Sequence, residues 1–380
     1  MSIELVTHES IELGLAAPFV DAAAGKGQRP FLGVSKEDEM FIYLRNNLPE
    51  PSSALLSYLA GGHEAISLLS GILQDLNTEF SELTSFLDFA CGHGKSTRFL
   101  VKAMDPARVW VSDIYKDAVD FQVRHFGVNG FYSAGCPAEV DISKKFQVIY
   151  AGSLFSHLPE RLFRAWLMKL YDCLEPDGVL VFSTHGPSLN QNRRQLDGTG
   201  FDFVAQSESR SLDKALYGST VVTEHWVRRT CVDLGIAGVT YLERSLWAQD
   251  VFIVSRSEHL SAKVRPRAQP LATVEQALLS SNGRLLVSGW AVSHRHGSPV
   301  NSIEVDIDGI EVGFAKLGII RADVASHFQR DDFGYAGFVL DLNIEAKPGL
   351  RDDPGLVRVK IYAGSSMTCL VRQVQEGDAK

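Results

Sequence analysis

The chain has no apolar run approaching the ~18 residues needed to cross a bilayer, so a helical membrane span is not expected. Its five cysteines, Cys91, Cys136, Cys173, Cys231 and Cys369, never stand as CxxC pairs. A scattered, odd set suits neither a disulfide framework nor a structural zinc site, and points to a reducing compartment, the cytoplasm. Residues 1–25 lack a basic n-region and carry Glu4, Glu9 and Glu12, so they do not read as a signal peptide. Positive charge is short too: 37 Lys/Arg stand against 46 Asp/Glu, a formal net of −9. Residues 258–380 hold 14 basic and 15 acidic residues, which leaves 23 and 31 for residues 1–257. So acidic an N-terminal part is poorly suited to neutralising nucleic-acid phosphates, although a small phosphorylated substrate stays open. A GxSxG nucleophile elbow is absent, since Gly152-Ser153 lacks the closing glycine. No internal repeat is visible.

What is present is ordinary globular material. The 380 residues are 45% apolar and 22% charged, enough for two domains or one large one. Residues 1–35 are weakly patterned and read as an arm. From Lys36 to Thr84 the period is helical, with Leu55, Leu59, Ile66, Leu69, Ile72 and Leu73 at three- and four-residue steps. Gly61-Gly62 interrupts this run and is expected to separate two helices. From Ser85 short apolar runs alternate with helical stretches. Phe86–Ala90, Val109–Asp113, Phe146–Gly152 and Gly178–Thr184 read as strands, and Arg161–Leu174 as an amphipathic helix. That alternation implies a parallel sheet covered on both faces. Residues 187–215 are a polar insertion with Asn190, Asn192, Arg193 and Arg194. A helix from Glu224 to Leu234 capped by Thr223 and strands Gly238–Leu242 and Asp250–Val254 complete the unit.

Ser255–Leu271, with Pro266 and Pro270, reads as an exposed linker. Beyond it the period is two. Ile303, Val305 and Ile307 alternate with Glu304, Asp306 and Asp308, and Asp308-Gly309 signals a hairpin. Further strand candidates are Arg284–Val292, Glu311–Ala315, Gly337–Leu342, Val357–Tyr362 and Thr368–Val374. About six strands with few helices predict a small antiparallel sandwich or barrel.

The most informative segment is Leu87-Asp88-Phe89-Ala90-Cys91-Gly92-His93-Gly94-Lys95-Ser96-Thr97, between a strand and a helix. Glycines there let backbone approach a ligand, and helix-terminal N–H groups attract anions. A phosphate loop aligned on Gly94-Lys95-Ser96 needs glycine at 89, where Phe89 stands, and fails. A dinucleotide GxGxxG needs glycine at 97, where Thr97 stands, and is weakened.

An acidic residue followed by a small-Gly-x-Gly turn resembles the first motif of class I S-adenosyl-L-methionine-dependent methyltransferases. Asp88, Gly92 and Gly94 match; Ala90 stands where relatives often carry glycine. The resemblance implies that Gly92–Gly94 faces the methionine part of the cofactor and that Asp88 acts on its amino group. Asp113, 25 residues after Asp88, falls where the family places an acid for the ribose hydroxyls, though helix capping is an alternative. Cys136-Pro137-Ala138-Glu139 lies where relatives contact adenine. Ala151 to Pro159, with Ser153 and His157-Leu158-Pro159, and Glu175 to Phe182 resemble later segments of the same module. Tyr58 and Gly62 precede the first strand as in relatives whose N-terminal helices close over the cofactor; Tyr58 is equally readable as a packed helix residue. These matches span residues 80–256, in the family's order.

Methyl transfer is an in-line displacement that rests on positioning and exclusion of water. A hydroxyl acceptor also calls for a base tuned near neutrality, which favours histidine. His157 and His185 follow successive strands at the carboxyl edge of the expected sheet, where ligands of such sheets bind. They are the candidate catalytic residues, with His185 preferred and His225 a third. His93, inside the turn, reads as a cofactor neighbour. His294-x-His296 lacks a supporting ligand cluster, so no metal is expected.

In the C-terminal part, Ser288-Gly289-Trp290-Ala291, Asp308-Gly309, Arg321–Ala325 and Gly337-Phe338 resemble β-modules appended to bacterial glycosyltransferases and other surface-polysaccharide enzymes. This implies sugar contact or association with glycan-assembly enzymes, while Trp290 and Phe338 themselves read as core. The expected architecture is therefore α/β. An arm and helical cap (1–84) precede a Rossmann-like doubly wound methyltransferase domain (85–256), a linker (257–271) and an all-β sandwich module (272–380). The expected activity is methylation of a sugar or glycan oxygen. A non-catalytic glycan-binding protein on a nucleotide fold and an NAD-dependent sugar oxidoreductase are the alternatives.

Overall fold

The computed structural model describes residues 5–6, 31–47, 51–187, 196, 198–206, 209, 212–265, 270–293, 300–307, 310–344, 355–363 and 366–377. His294, His296, Asp308, Gly309, Asn190, Asn192, Arg193 and Arg194 lie outside these residues. Among the described residues no helix is long and apolar enough to cross a membrane. The chain divides into two compact units, one built on Ala23–Pro49 and Gly61–Pro266, the other on Glu50–Ala60 and Arg267–Lys380.

The first unit contains α1 (Glu39–Asn47) and the part of α2 (Pro51–Asp75) from Gly61 onward. Then come β1 (Phe86–Phe89), α3 (Thr97–Ala103), β2 (Val109–Asp113), α4 (Lys116–Phe126), β3 (Asn129–Tyr132), β4 (Phe146–Ala151), α5 (Glu160–Asp172) and β5 (Leu174–Thr184). After β5 follow β6 (Phe201–Val204), β7 (Ser219–Val222), α6 (Glu224–Asp233), β8 (Gly238–Leu246), β9 (Gln249–Ser255) and α7 (Glu258–Ser261). Seven strands form one sheet in the order β8-β9-β5-β4-β1-β2-β3. Strands β1 to β5 are mutually parallel, but β8 and β9 run antiparallel, which the sequence pattern alone did not separate.

Both faces of this sheet are covered. Along β5, Val179 and Val181 join the cluster that includes Ala65, Leu69 and Leu100. The alternate residues Leu180 and Phe182 join the opposite cluster with Phe163 and Trp166 of α5. Strands buried on both sides are continuous apolar runs rather than alternating ones. The chain moves from β1 outward through β2 and β3, then returns to β4 on the other side of β1. This reversal opens a crevice beyond the carboxyl ends of the strands.

Three expectations need correction. First, Gly61-Gly62 does not break the helix, because α2 is continuous. A Cβ on Gly62 would stand 1.9 Å from the Lys95 carbonyl oxygen, so the residue permits close packing instead. The ~1 kcal/mol propensity cost of a mid-helix glycine is met by that tertiary contact. Second, the linker does not begin at 257. α7 packs on the unit: Thr240 Oγ1 donates to Ser261 O at 2.6 Å, and Val264 is buried in the sheet-face cluster. Third, the polar insertion holds a strand, β6, which pairs with β7 just beyond it. Thr223 does cap α6, accepting from Trp226 N at 3.1 Å.

The second unit's described strands are β10 (Leu271–Leu279), β11 (Arg284–Val292), β12 (Ser302–Ile307), β13 (Ile310–Phe314), β14 (Lys316–Ile319), β15 (Gly337–Asn343), β16 (Leu356–Ala363), β17 (Ser366–Gln373) and β18 (Gln375–Glu376). They form a five-stranded sheet, β14-β15-β11-β10-β18, and a four-stranded sheet, β13-β12-β16-β17. Leu285, Val287 and Leu340 of the first and Ile303, Val305 and Val359 of the second share one apolar cluster. Phe338 belongs to it, and Trp290 packs edge-on against Phe328 at 5.7 Å, so both serve the interior. β10, β14 and β18 escaped the sequence reading, β10 because it begins where the linker was expected to end.

Candidate active site

The glycine turn follows β1. Ala90, Gly92 and Gly94 all have left-handed backbone, with φ of 58°, 51° and 81°. At Ala90 this conformation costs roughly 1–2 kcal/mol that glycine avoids, which gives the departure at this position a physical meaning. The turn is held from below. Gly92 N donates to Asp113 Oδ2 at 2.8 Å, and Gln122 Nε2 donates to Gly92 O at 2.7 Å. The fully buried Arg98 donates through Nε to Gly94 O at 2.9 Å.

The two glycines do different work. A Cβ on Gly94 would come within 2.4 Å of the Phe126 ring, whereas one on Gly92 meets nothing within 4 Å. Gly94→Ala is therefore expected to destabilise the fold by about 2–4 kcal/mol through overpacking and backbone strain. Gly92→Ala should cost only about 1–2 kcal/mol from its backbone conformation, while placing a methyl group in the open space above the turn. Thermal unfolding of the two variants checks this contrast.

Asp88 is 3% exposed and accepts from Thr97 Oγ1 at 2.7 Å. Burial, reinforced by the Asp113 charge, pushes its pKa up to about 7 despite the Thr97 hydrogen bond. Asp113 ends β2. Its Oδ1 accepts from Tyr115 N at 3.0 Å while Oδ2 holds Gly92. Asp113 does not cap α4, whose N-cap is Tyr115 without a side-chain cap bond; it closes a two-residue turn before the helix, and the same carboxylate shapes the glycine turn. Its pKa is raised by burial against these backbone hydrogen bonds.

The candidate bases meet at the neighbouring strand ends. His157, after β4, and His185, after β5, have ring centroids 5.7 Å apart, edge to face. His157 stacks on Tyr217 at 4.5 Å, and its Nδ1 lies 2.8 Å from Gly218 O. A carbonyl only accepts, so Nδ1 carries the proton and Nε2 holds the free lone pair. Burial lowers the pKa of His157, which keeps the ring neutral. The backbone reinforces this placement: Gly218 N donates to His157 O at 2.7 Å, and Val222 N to His185 O at 3.0 Å. The His157 tautomer is thus set by a carbonyl that lies just beyond the polar insertion.

Ser153 has φ of 61° and lies between these groups and the sheet. Its N donates to Ser183 Oγ at 2.7 Å, and its Oγ accepts from Gln249 Nε2 at 2.9 Å. Other candidates fall elsewhere. His93 has Nε2 3.3 Å from Asp117 and packs against Phe121, under the turn. His225 is exposed on α6. Tyr58 is fully buried in the part of α2 that groups with the second unit. Among the described residues no cluster of His, Cys, Asp and Glu suits a metal.

Residues 62–215, which hold the glycine turn, Asp113 and both histidines, match the family model described as a methyltransferase domain. This chain is an S-adenosylmethionine-dependent methyltransferase. The nicotinamide and non-catalytic readings are thereby set aside. A malonyl-[acyl-carrier protein] O-methyltransferase from Calditerrivibrio nitroreducens is 20% identical over 197 residues, covering 49% of this chain and 74% of that protein. Among solved structures, an S-adenosylmethionine-dependent methyltransferase from Clostridium acetobutylicum is similar with a TM-score of 0.37 at 13% identity, covering 50% of this chain and 90% of that one. CalS10, an amino pentose methyltransferase from Micromonospora echinaspora, gives 0.39 at 17%, covering 52% and 92%.

The methyltransferase turn fits its cofactor on its own geometry. The space that a Gly92 side chain would fill is open, and a buried carboxylate stands on each side, Asp88 below the turn and Asp113 at the next strand end. Residues that the sequence reading missed are Tyr217 and Gly218, just after the polar insertion, and Lys95, Ser183, Trp247 and Gln249. Lys95 had a visible signal, its place directly after the turn; the others are joined to the site only by folding.

Proposed function

We propose that the enzyme methylates a hydroxyl oxygen of a sugar or glycan intermediate, with His157 as general base and His185 beside it. The observation that carries the oxygen acceptor is the His157–Gly218 hydrogen bond of 2.8 Å, which leaves an unprotonated Nε2 on a neutral, half-buried ring. S-adenosylmethionine, when bound, supplies an electrophilic methyl group on a sulfonium. The protein's part is positional: the Gly92–Gly94 backbone admits the methionine portion, Asp113 takes the ribose hydroxyls, and Ser153 closes the strand end. His157 Nε2 receives the proton that the acceptor hydroxyl gives up. The sugar assignment rests on the resemblance of Ser288–Ala291, Arg321–Ala325 and Gly337-Phe338 to glycan-enzyme modules. We take that module to be a β-sandwich, consistent with two sheets that share one apolar cluster.

Transfer of labelled methyl from S-adenosylmethionine to a panel of sugars, nucleotide sugars and oligosaccharides tests this reading. An alkali-stable methyl ether on a sugar is the expected product. An alkali-labile methyl ester or an N-methyl product would overturn it. Asp113→Ala should weaken S-adenosylhomocysteine binding ~10–100-fold by calorimetry, since a charged hydrogen-bond partner is worth ~1.5–3 kcal/mol. Unchanged affinity would place the ribose elsewhere.

A further inference from the structure

Arg244 stands at the carboxyl rim of the seven-stranded sheet, and neither the fold nor the methyl transfer uses its charge. In the β8–β9 ladder Leu242 lies opposite Val251 and Leu246 opposite Gln249, so Glu243, Arg244 and Ser245 stand against Asp250 alone. A bulge re-aims a side chain, and bulges gather beside active sites. Arg244 is its middle residue and has left-handed backbone, with φ of 47°. Asp250 fixes it there: Oδ1 accepts from Arg244 N at 2.9 Å, and Oδ2 accepts from the Tyr241 hydroxyl at 3.1 Å. The hairpin tip is tied down as well. Trp247 and Ala248 have φ of 51° and 63°. Trp247 donates from N to Glu64 Oε1 and from Nε1 to Gly61 O, both at 2.9 Å, and the Lys95 ammonium lies 3.4 Å from its ring centroid. Strained non-glycine backbone persists where contacts over-determine it, and it concentrates at functional sites.

The side chain held this way has no partner. Arg244 is half-buried. Among the described residues its Nε is buried without a hydrogen bond, and its guanidinium forms no ion pair. Burial disfavours its charge, while Asp250 and Glu243 attract it from beyond ion-pair distance. A buried donor on a charged group is costly to leave unmade. The planar fork of a guanidinium matches the two oxygens of a carboxylate or phosphate.

The fork lies next to the candidate bases. β9 runs antiparallel to β5, so it begins at the carboxyl end of β5, which His185 follows. Asp250 stands opposite Thr184, and a Cβ on Gly186 would fall 2.0 Å from Asp250 Oδ2. The residues on either side of His185 therefore both border Asp250, and Arg244 is one carboxylate further along the rim. Thr184 is fully buried, and its Oγ1 also lacks a partner among the described residues. Asp250 spends its oxygens on the Arg244 backbone and Tyr241, and Glu243 is exposed. The guanidinium is thus left open to an anion from outside the chain.

We propose that Arg244 binds an oxyanion of the methyl acceptor, a carboxylate or a phosphate, so that the preferred acceptors are acidic sugars rather than neutral ones. This rests on the reading of the acceptor as a sugar. The test is calorimetric titration of the full-length protein, saturated with S-adenosylhomocysteine. The probes are matched panels of neutral hexoses, hexuronates and hexose phosphates, with inorganic phosphate and malonate as anions without a sugar. The best acidic sugar should bind ~10–100-fold more tightly than its neutral counterpart, the range for hydrogen bonds to a charged group. A hexuronate as the best ligand makes the anion a carboxylate, and a hexose phosphate makes it a phosphate. Arg244→Gln should bring acidic and neutral sugars within about threefold of each other and leave S-adenosylhomocysteine affinity within about threefold. Its Tm should stay within about two degrees, because the guanidinium removed pairs with nothing. Arg244→Lys, which keeps the charge but not the fork, should discriminate less than wild type and more than Arg244→Gln.

A wild type that binds neutral hexoses as tightly as both acidic panels overturns the proposal without any variant. So does an Arg244→Gln protein that keeps the preference, or one that loses neutral and acidic sugars equally. If no sugar binds, the sugar reading falls by itself. Inorganic phosphate or malonate held by wild type and lost in Arg244→Gln would then still uphold the anion site, and binding of neither would overturn it as well.

Discussion

His157→Ala is expected to lower kcat by 10²–10⁴-fold, the range for loss of a general base, while the Kd for S-adenosylhomocysteine changes less than about threefold. Two features make this the largest expected kinetic effect. The Gly218 carbonyl, 2.8 Å from Nδ1, sets the tautomer that leaves Nε2 free. Burial, which lowers the pKa, keeps the ring neutral to a pH below the ordinary histidine value. The acid limb of the kcat profile should therefore lie below pH ~6.5, the unperturbed histidine pKa. If His157 is the base, His185→Ala should cost less. If His157→Ala keeps full activity and His185→Ala loses it, the base is His185. Comparable losses of turnover and cofactor affinity in His157→Ala would make it part of the cofactor site instead.

Asp88→Asn should stabilise the ligand-free protein, and more so at alkaline pH. The folded pKa of Asp88 is raised to about 7, mainly by burial, whereas an unfolded aspartate titrates near ~3.9. The folded state therefore binds the extra proton between these values, and stability falls as pH rises through this window. Three pKa units correspond to roughly 4 kcal/mol at pH 8, and less than half of that at pH 5. Asp250, raised to about 6, and Asp113 act in the same direction. His157, whose pKa is lowered, acts oppositely, destabilising the fold as pH falls below ~6.5. The asparagine carbonyl still accepts from Thr97 Oγ1, so the hydrogen bond survives. Its Tm gain over wild type should be several degrees at pH 8 and clearly smaller at pH 5, with weaker S-adenosylhomocysteine binding at both. A Tm difference that does not vary with pH would mean that Asp88 is ionised at the ordinary carboxylate value.

The cofactor turn was legible in the sequence because its requirements are local. Left-handed backbone at 92 and 94 selects glycine, and Asp88 and Asp113 sit at strand ends whose spacing a strand–helix–strand unit dictates. The apolar runs of β1, β4 and β5 were equally visible, since a strand buried on both faces has no polar alternation to hide it. Pairs distant in sequence were not legible. Gly61-Gly62 looks like a helix break until Lys95 is seen packed against it. β3, only four residues of Asn-Gly-Phe-Tyr, looks like a turn. His157 and His185 were both named, but nothing along the chain says what sets the His157 tautomer. That depends on Gly218, 61 residues away, brought alongside by β7. Trp247 over Lys95 joins positions 152 apart through a hairpin whose strained backbone no local pattern announces. The sequence by itself determined the order of the main elements, because that follows from periodicity, and its glycine turn carried the resemblance that implied the cofactor class. The tertiary structure alone decided what holds the His157 ring and what surrounds the lysine, because hydrogen bonds and desolvation are set by whatever folding places alongside.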